Sequence, residues 1–231
     1  VQIDSMLIRQ YADHFRADAV GLSAGNYTLK VVGKNSGEVE TSTLTVSSYD
    51  RSGFAFSKNS PAEGNGVGAY NNDGTLKSGT QVIYITEDTK NTVTADIDGT
   101  IQTGIINITQ QAKKCNTPLC FRIIGQVSLD GLSSSDMKSA YAIGVKEASN
   151  VTFEGIGEDA TLYGAGVAAF KCNSVEIRNL GLMLWGGGSD GDAISLKESI
   201  NVWVHNNDIF YGSAGGDSDQ GKGDGSMDLK D

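Results

Sequence analysis

Residues 175–206 read VEIRNLGLMLWGGGSDGDAISLKESINVWVHN. Two five-residue runs, VEIRN at Val175 and VWVHN at Val202, share the pattern apolar-x-apolar-x-Asn, 27 residues apart. The same pattern, with Gly in last place, appears as VTFEG at Val151 and FRIIG at Phe121, so successive starts are 30, 24 and 27 residues apart. A shorter run, MDL, follows at Met227. One short strand per 20–30 residues, with no helical periodicity between, predicts a single-stranded solenoid in which each coil stacks on the last. The first and third residues of each run point inward and the second points outward, because strand side chains alternate. The last position, Gly155, Asn179 and Asn206, falls at a bend, where Asn bonds its own backbone and meets the Asn of the next coil. The class is all-β, a parallel β-helix.

Composition agrees. Among 231 residues there are 30 Gly and only 2 Pro, and strand-forming runs lie between glycines. No apolar run approaches the ~18 residues that span a bilayer, so no membrane partner is expected. The net charge of −10 excludes nucleic-acid binding through a broad basic surface. The acid is uneven, with nine Asp or Glu and three Lys in residues 186–231. Clustered carboxylates repel one another unless a cation lies among them. Stacking brings residues about one coil apart to within ~4.8 Å. Asp190 and Asp192 therefore converge with Asp224 and Asp228 on one outer groove, and hard oxygen ligands on a flexible rim suit Ca2+.

Residues 1–52 differ from the rest. Alternation in NYTLKVVG and TSTLTVSS, with turns at SAGN and GKNSGE, predicts part of a small fibronectin- or Ig-like β-sandwich as an accessory domain. IDSMLIRQYADHF reads either as strand and loop or as a short helix. Beyond residue 53, NSPAEGNGVGAYNNDGTLKSG reads as loop, QVIYITED and NTVTADIDG as strands, and TGIINITQQAKKC as carrying a short helix. Cys115 and Cys120 are close enough in sequence to pair, while Cys172 reads as a buried thiol.

The segments GDAISLKESINVWVHNNDIF and GDGSMDLKD together resemble the core of the family 1 pectate lyases. NVTFEGIGEDATLYGAG and NSVEIRNLGL are similar to that family's preceding coils, and GVGAYNNDGTLKSGTQVIYITED to its earlier segment. The resemblance runs from about residue 53 to the C-terminus. It implies a right-handed parallel β-helix over residues 53–231, with the C-terminal coils missing and both ends of the chain cut. Position by position it implies calcium ligation by Asp192, Asp224 and Asp228, with Asp190 assisting when substrate is bound. It further implies a secreted bacterial enzyme, its signal peptide outside the chain, acting as a monomer on polygalacturonate or pectin. The reaction is calcium-assisted β-elimination that leaves 4,5-unsaturated ends. Two departures stand out. His205 occupies a position where the family usually has Asp. The family's catalytic Arg belongs to coils expected beyond Asp231, and Arg178 and Lys197 lie on the wrong side of the motif to replace it, so the fragment is expected to be inactive alone.

Outward Trp203 and His205 are candidate substrate-binding residues, with Trp185 a further sugar-stacking candidate, although packing under a loop explains Trp203 equally. Three other readings compete. A polygalacturonase-type hydrolase needs Gly-His-Gly and Arg-x-Lys segments that are absent. A non-catalytic carbohydrate-binding β-helix fits the missing Arg. An EF-hand-like loop through Asp217, Asp219 and Asp228 has Lys222 where Gly belongs.

Overall fold

The computed structural model describes residues 2–49, 53, 56–60, 64–129, 142–185, 191–212 and 225–231. The predicted solenoid is present. Strands Gln81–Ile85, Leu119–Ser128, Ser149–Tyr163, Asn173–Arg178 and Ile200–His205 stack in parallel, in chain order, as one long sheet. Its outer margin is extended by Gly181–Met183 and Asp208–Ile209. A short sheet stacks Ala142–Lys146, Gly166–Phe170, Ile194–Lys197 and Met227–Lys230, again parallel and in order. From Leu119 onward each coil therefore contributes one strand to each sheet.

The inward residues build one core. Leu119, Val151, Val175 and Val202 lie in register, and so do Phe121, Phe153, Ile177 and Val204. Phe121 and Phe153 stack with ring centroids 4.8 Å apart. Ile143, Val145, Val167, Ala169, Ile194 and Leu196 close the core from the short sheet. Helix Ile105–Gln111 inserts Ile105 and Ile108 into the same core and packs on Ala142–Lys146.

The corners are set by left-handed backbone at stacked positions. Glu147, Lys171 and Glu198 leave the short sheet with positive φ, and Asn150, Ser174 and Asn201 enter the long one in the same way. Asn179 and Asn206 form the next corner, each at φ 53. Asn tolerates this conformation because its side chain bonds locally. The bonds that tie coil to coil here run from Asn179 Nδ2 to the Gly155 carbonyl and from Asn207 Nδ2 to the Ile177 carbonyl. Asn207 rather than Asn206 thus makes the second link.

Two registers differ from expectation. The rung shared with Val151 begins at Leu119, two residues before Phe121, an even shift that keeps the same face inward. Met227 stacks on Ile194 in the short sheet and not on Val202 in the long one. QVIYI also belongs to the stack, beneath Leu119–Ile123.

The first part of the chain pairs only antiparallel. Ser5–Leu7 is a 3-10 turn capped by the Asp4 carboxylate, and the strand Ile8–Gln10 follows it directly, so this stretch holds both a helical turn and a strand. Ile8–Gln10 pairs with Phe15–Ala17, Gly25–Tyr27 with Leu44–Val46, and Lys30–Gly33 with Gly37–Glu40. Leu7 packs on Ile124 and Ile156, and Arg9 pairs with Asp159 at 2.8 Å. The helix expected in TGIINITQQAKKC is Ile105–Gln111.

All three cysteines are free and buried, so Cys115 and Cys120 do not pair. Cys115 lies in the core, whereas Cys120 occupies an outward position of the long sheet beside Tyr70. The sheet itself separates the two sulfurs.

Candidate functional site

Alternation places Ser195 and Lys197 on the outer face of the short sheet, and Asp228 and Lys230 directly above them in the next coil. Asp192 precedes the strand and is almost wholly buried. Its Oδ2 accepts the Ser195 hydroxyl at 2.9 Å, and its Oδ1 accepts the Gly225 N–H of the following coil at 2.9 Å. The carboxylate is thus clamped between two coils. Gly166 lies beneath it, where a Cβ would stand 2.2 Å from the Asp192 carbonyl oxygen, so only glycine allows this approach. Asp228 is half-buried and pairs with Lys230 at 2.7 Å.

Asp192 and Asp228 line one cleft of about 460 Å³, together with Lys146, Phe170, Ser195, Lys197 and Lys230. The stacking argument therefore joins these two aspartates. Asp190 and Asp224 lie outside the described residues, as do Asp217 and Asp219. Among the described residues no group of three or more His, Cys, Asp or Glu side chains converges on a point that could hold a metal. What the described part offers is two aspartates and a serine hydroxyl, with Glu198 also on the lining but paired with Lys171 at 3.1 Å. An oxygen-only donor set of this type fits a hard divalent cation such as calcium. Asp228 sits inside the strand Met227–Lys230, a setting unlike the end of an EF-hand loop.

Trp203 and His205 are elsewhere. They face outward from Ile200–His205 in the long sheet, and neither lines the aspartate cleft. Phe56 and Tyr49 meet the Trp203 ring edge-on, at 4.6 and 6.4 Å, and His205 stacks on it at 3.6 Å. His205 Nε2 lies 3.1 Å from Glu176 Oε1. These two residues are built into cross-coil packing, which explains their outward positions without a sugar. Trp185 is buried in the core, its Nε1 donating to the Gly225 carbonyl, so it offers no stacking platform.

The outer face of the long sheet holds a network that repeat reading missed. Tyr84, Arg122, Glu154, Arg178 and His205 form one column across five coils, alternating in charge through its centre. Glu154 Oε1 accepts from Tyr70 at 2.6 Å and from Arg122 at 2.8 Å, while its Oε2 accepts from Arg178 at 2.6 Å. Burial pushes the Glu154 carboxyl up, but the two guanidiniums and the Tyr70 hydroxyl outweigh it, and the net direction is down. Arg178 also reaches Glu176 and the Tyr49 hydroxyl. The covering loop carries Tyr70, and Gly68, at φ +61, lets it descend onto Thr152. Arg178 is thereby held on the sheet that does not carry the aspartates. Lys197, by contrast, lines their cleft.

No family model matches the chain. Among curated proteins, a pectate trisaccharide-lyase of Bacillus licheniformis is 34% identical over 100 residues. A second protein of that name and species matches equally well. The chain is related to a pectate lyase. The aligned stretch is 43% of this chain and 27% of each relative, so the chain spans little more than a quarter of the length of the curated relatives it matches. No helix is long and apolar enough to cross a membrane among the described residues.

Proposed function

We propose that this chain carries the calcium-binding part of a secreted bacterial lyase that cleaves polygalacturonate by β-elimination. The observation that carries the reading is the shared cleft, in which Asp192 and Asp228 of successive coils face the same space beside lysines. The similarity to the Bacillus licheniformis lyases supports it. Asp192 and Asp228 would hold the ion, joined by Asp190 and Asp224. Calcium, when bound, neutralises the substrate carboxylate and so acidifies the neighbouring C5–H.

The protein's own groups supply the rest. Ser195 and the Gly225 N–H fix the direction of the Asp192 carboxylate, so little reorganisation is needed on binding. Lys230, beside Asp228, offers an ammonium to a uronate carboxylate. A base takes the C5 proton, the C4–O bond breaks with its electron pair going to the leaving oxygen, and a C4=C5 double bond remains. No arginine lines the cleft among the described residues, and Arg178 is engaged by Glu154 and Glu176. We therefore place the base in a later coil, where the resemblance to family 1 pectate lyases puts it, and expect the chain alone to bind without turnover.

Incubation with polygalacturonate and calcium, followed by ultraviolet absorbance of the unsaturated product, tests the second part. Calorimetric titration with calcium tests the first. Calcium and uronate binding without product is expected. Chelator-sensitive product formation by the chain alone would overturn the placement of the base, and no calcium binding would overturn the whole reading. A cleft without arginine among the described residues favours one alternative, a non-catalytic carbohydrate-binding β-helix. Binding without product even when further coils are supplied would favour that module. Saturated product ends would point instead to a hydrolase.

A further inference from the structure

The cleft does not stop at the aspartates. It continues along the short sheet toward earlier coils into a cavity of about 390 Å³, which shares Lys146 and Phe170 with it and reaches Lys113. The register sets Lys146, Phe170, Lys197 and Lys230 in one column, one residue per coil. The adjacent outward column is Gly144, Ala168, Ser195 and Asp228. Its first members are small, so the floor lies low while the first column stands up as a wall.

The charges on this wall are unequal in their surroundings. Lys113 lies 3.8 Å from Glu147, Lys171 pairs with Glu198 at 3.1 Å, and Lys230 pairs with Asp228 at 2.7 Å. Lys146 and Lys197 have no carboxylate partner among the described residues. A solvated lysine edge is the ordinary explanation for such residues. Yet in a chain with net charge −10 this column holds two ammoniums without a carboxylate partner among the described residues, with the half-buried ring of Phe170 between them.

We infer that Lys146, Phe170 and Lys197 extend the cleft into a track for an acidic polysaccharide lying along the solenoid axis. The ammoniums pair with uronate carboxylates, and the phenyl ring lies against a pyranose face. This rests on the polyuronate reading above. A pyranose unit is about as long as one inter-coil step of ~4.8 Å. Lys197 stands one step from Lys230 and Lys146 stands three, so the grip of Lys146 depends on chain length. A trimer seated at Asp192 and Asp228 touches Lys197 but falls short of Lys146, whereas a hexamer reaches both.

The test uses the whole chain with calcium and calorimetric titration by trigalacturonate and hexagalacturonate. The hexamer should bind more tightly and with the steeper loss of affinity in salt. Lys146→Gln should weaken the hexamer about fivefold, the size of one well-placed exposed ion pair, and leave the trimer and the melting temperature unchanged. Lys146→Arg should restore the hexamer. Equal effects on both oligomers, or no effect on either, would overturn the track while leaving the polyuronate reading intact. Failure of the unaltered chain to bind either oligomer would overturn that reading and the track with it.

Discussion

Asp192 and Gly225 are joined by a 2.9 Å hydrogen bond from the glycine N–H to the carboxylate, linking one coil of the solenoid to the next. Removing the charge while keeping the shape tests what this carboxylate is for. Asp192→Asn should cost about 1–3 kcal/mol, because one of its two donors is left facing an amide N–H. Calcium at a hundredfold excess over its Kd should stabilise the unaltered chain by about 2.7 kcal/mol. The variant should show no such rise, and melting curves with and without the ion check both statements.

Glu154→Gln should be more damaging than any change in the cleft. It leaves Arg122 buried and Arg178 mostly so, each without its shared counter-charge. Breaking a buried pair in this way costs about 3–5 kcal/mol. Denaturant titration should show the loss in the midpoint.

The same carboxyl makes a prediction about acid. Its folded value lies below the ordinary 4.5, so the stability it contributes is complete above that pH and is lost as pH falls through the depressed value. The melting temperature should drop below about pH 4.5, and more steeply in the unaltered chain than in Glu154→Gln. Equal slopes would show that other carboxylates govern the acid limb.

The thiols should be silent. Burial raises Cys115, Cys120 and Cys172 above the ordinary thiol value, with nearby acidic groups adding to it. A thiol reagent at neutral pH should label none of the three until denaturant is added, and then all three. Reducing agent should leave the melting temperature unchanged.

The inward half of the fold was legible because it has a period. Val151, Val175 and Val202 stand in the register that the repeat implied. The start at Phe121 and the place of Met227 were misread because apolar alternation fixes which side faces in, not which rung or which sheet a run occupies. That Asp192 and Asp228 share one cleft was legible through stacking and family resemblance together. Lys146 and Phe170 were not, because AIGVK and GVAAF carry Gly144 and Ala168 in outward positions, so polar alternation is absent. Glu176, second in its run, was placed outward correctly, yet outward did not mean exposed. What covers Glu154 includes Tyr70, from a glycine-rich loop whose docking has no signature in local sequence. Trp203 and His205 were weighed as groove residues for the same reason.

The corners built on Asn and left-handed backbone leave one side of each coil free to vary. Between Tyr163 and Gly166 the connection is a brief turn, while its counterpart in the next coil runs from Met183 to Ile194 and the one after from Ile209 to Met227. From Ser149 onward, growth in loop length is thus confined to the approach to the short sheet, the sheet that bears the aspartates. A chain of this design can lengthen or trim the rim around its groove, and so retune what it admits, without disturbing a single rung of the stack beneath.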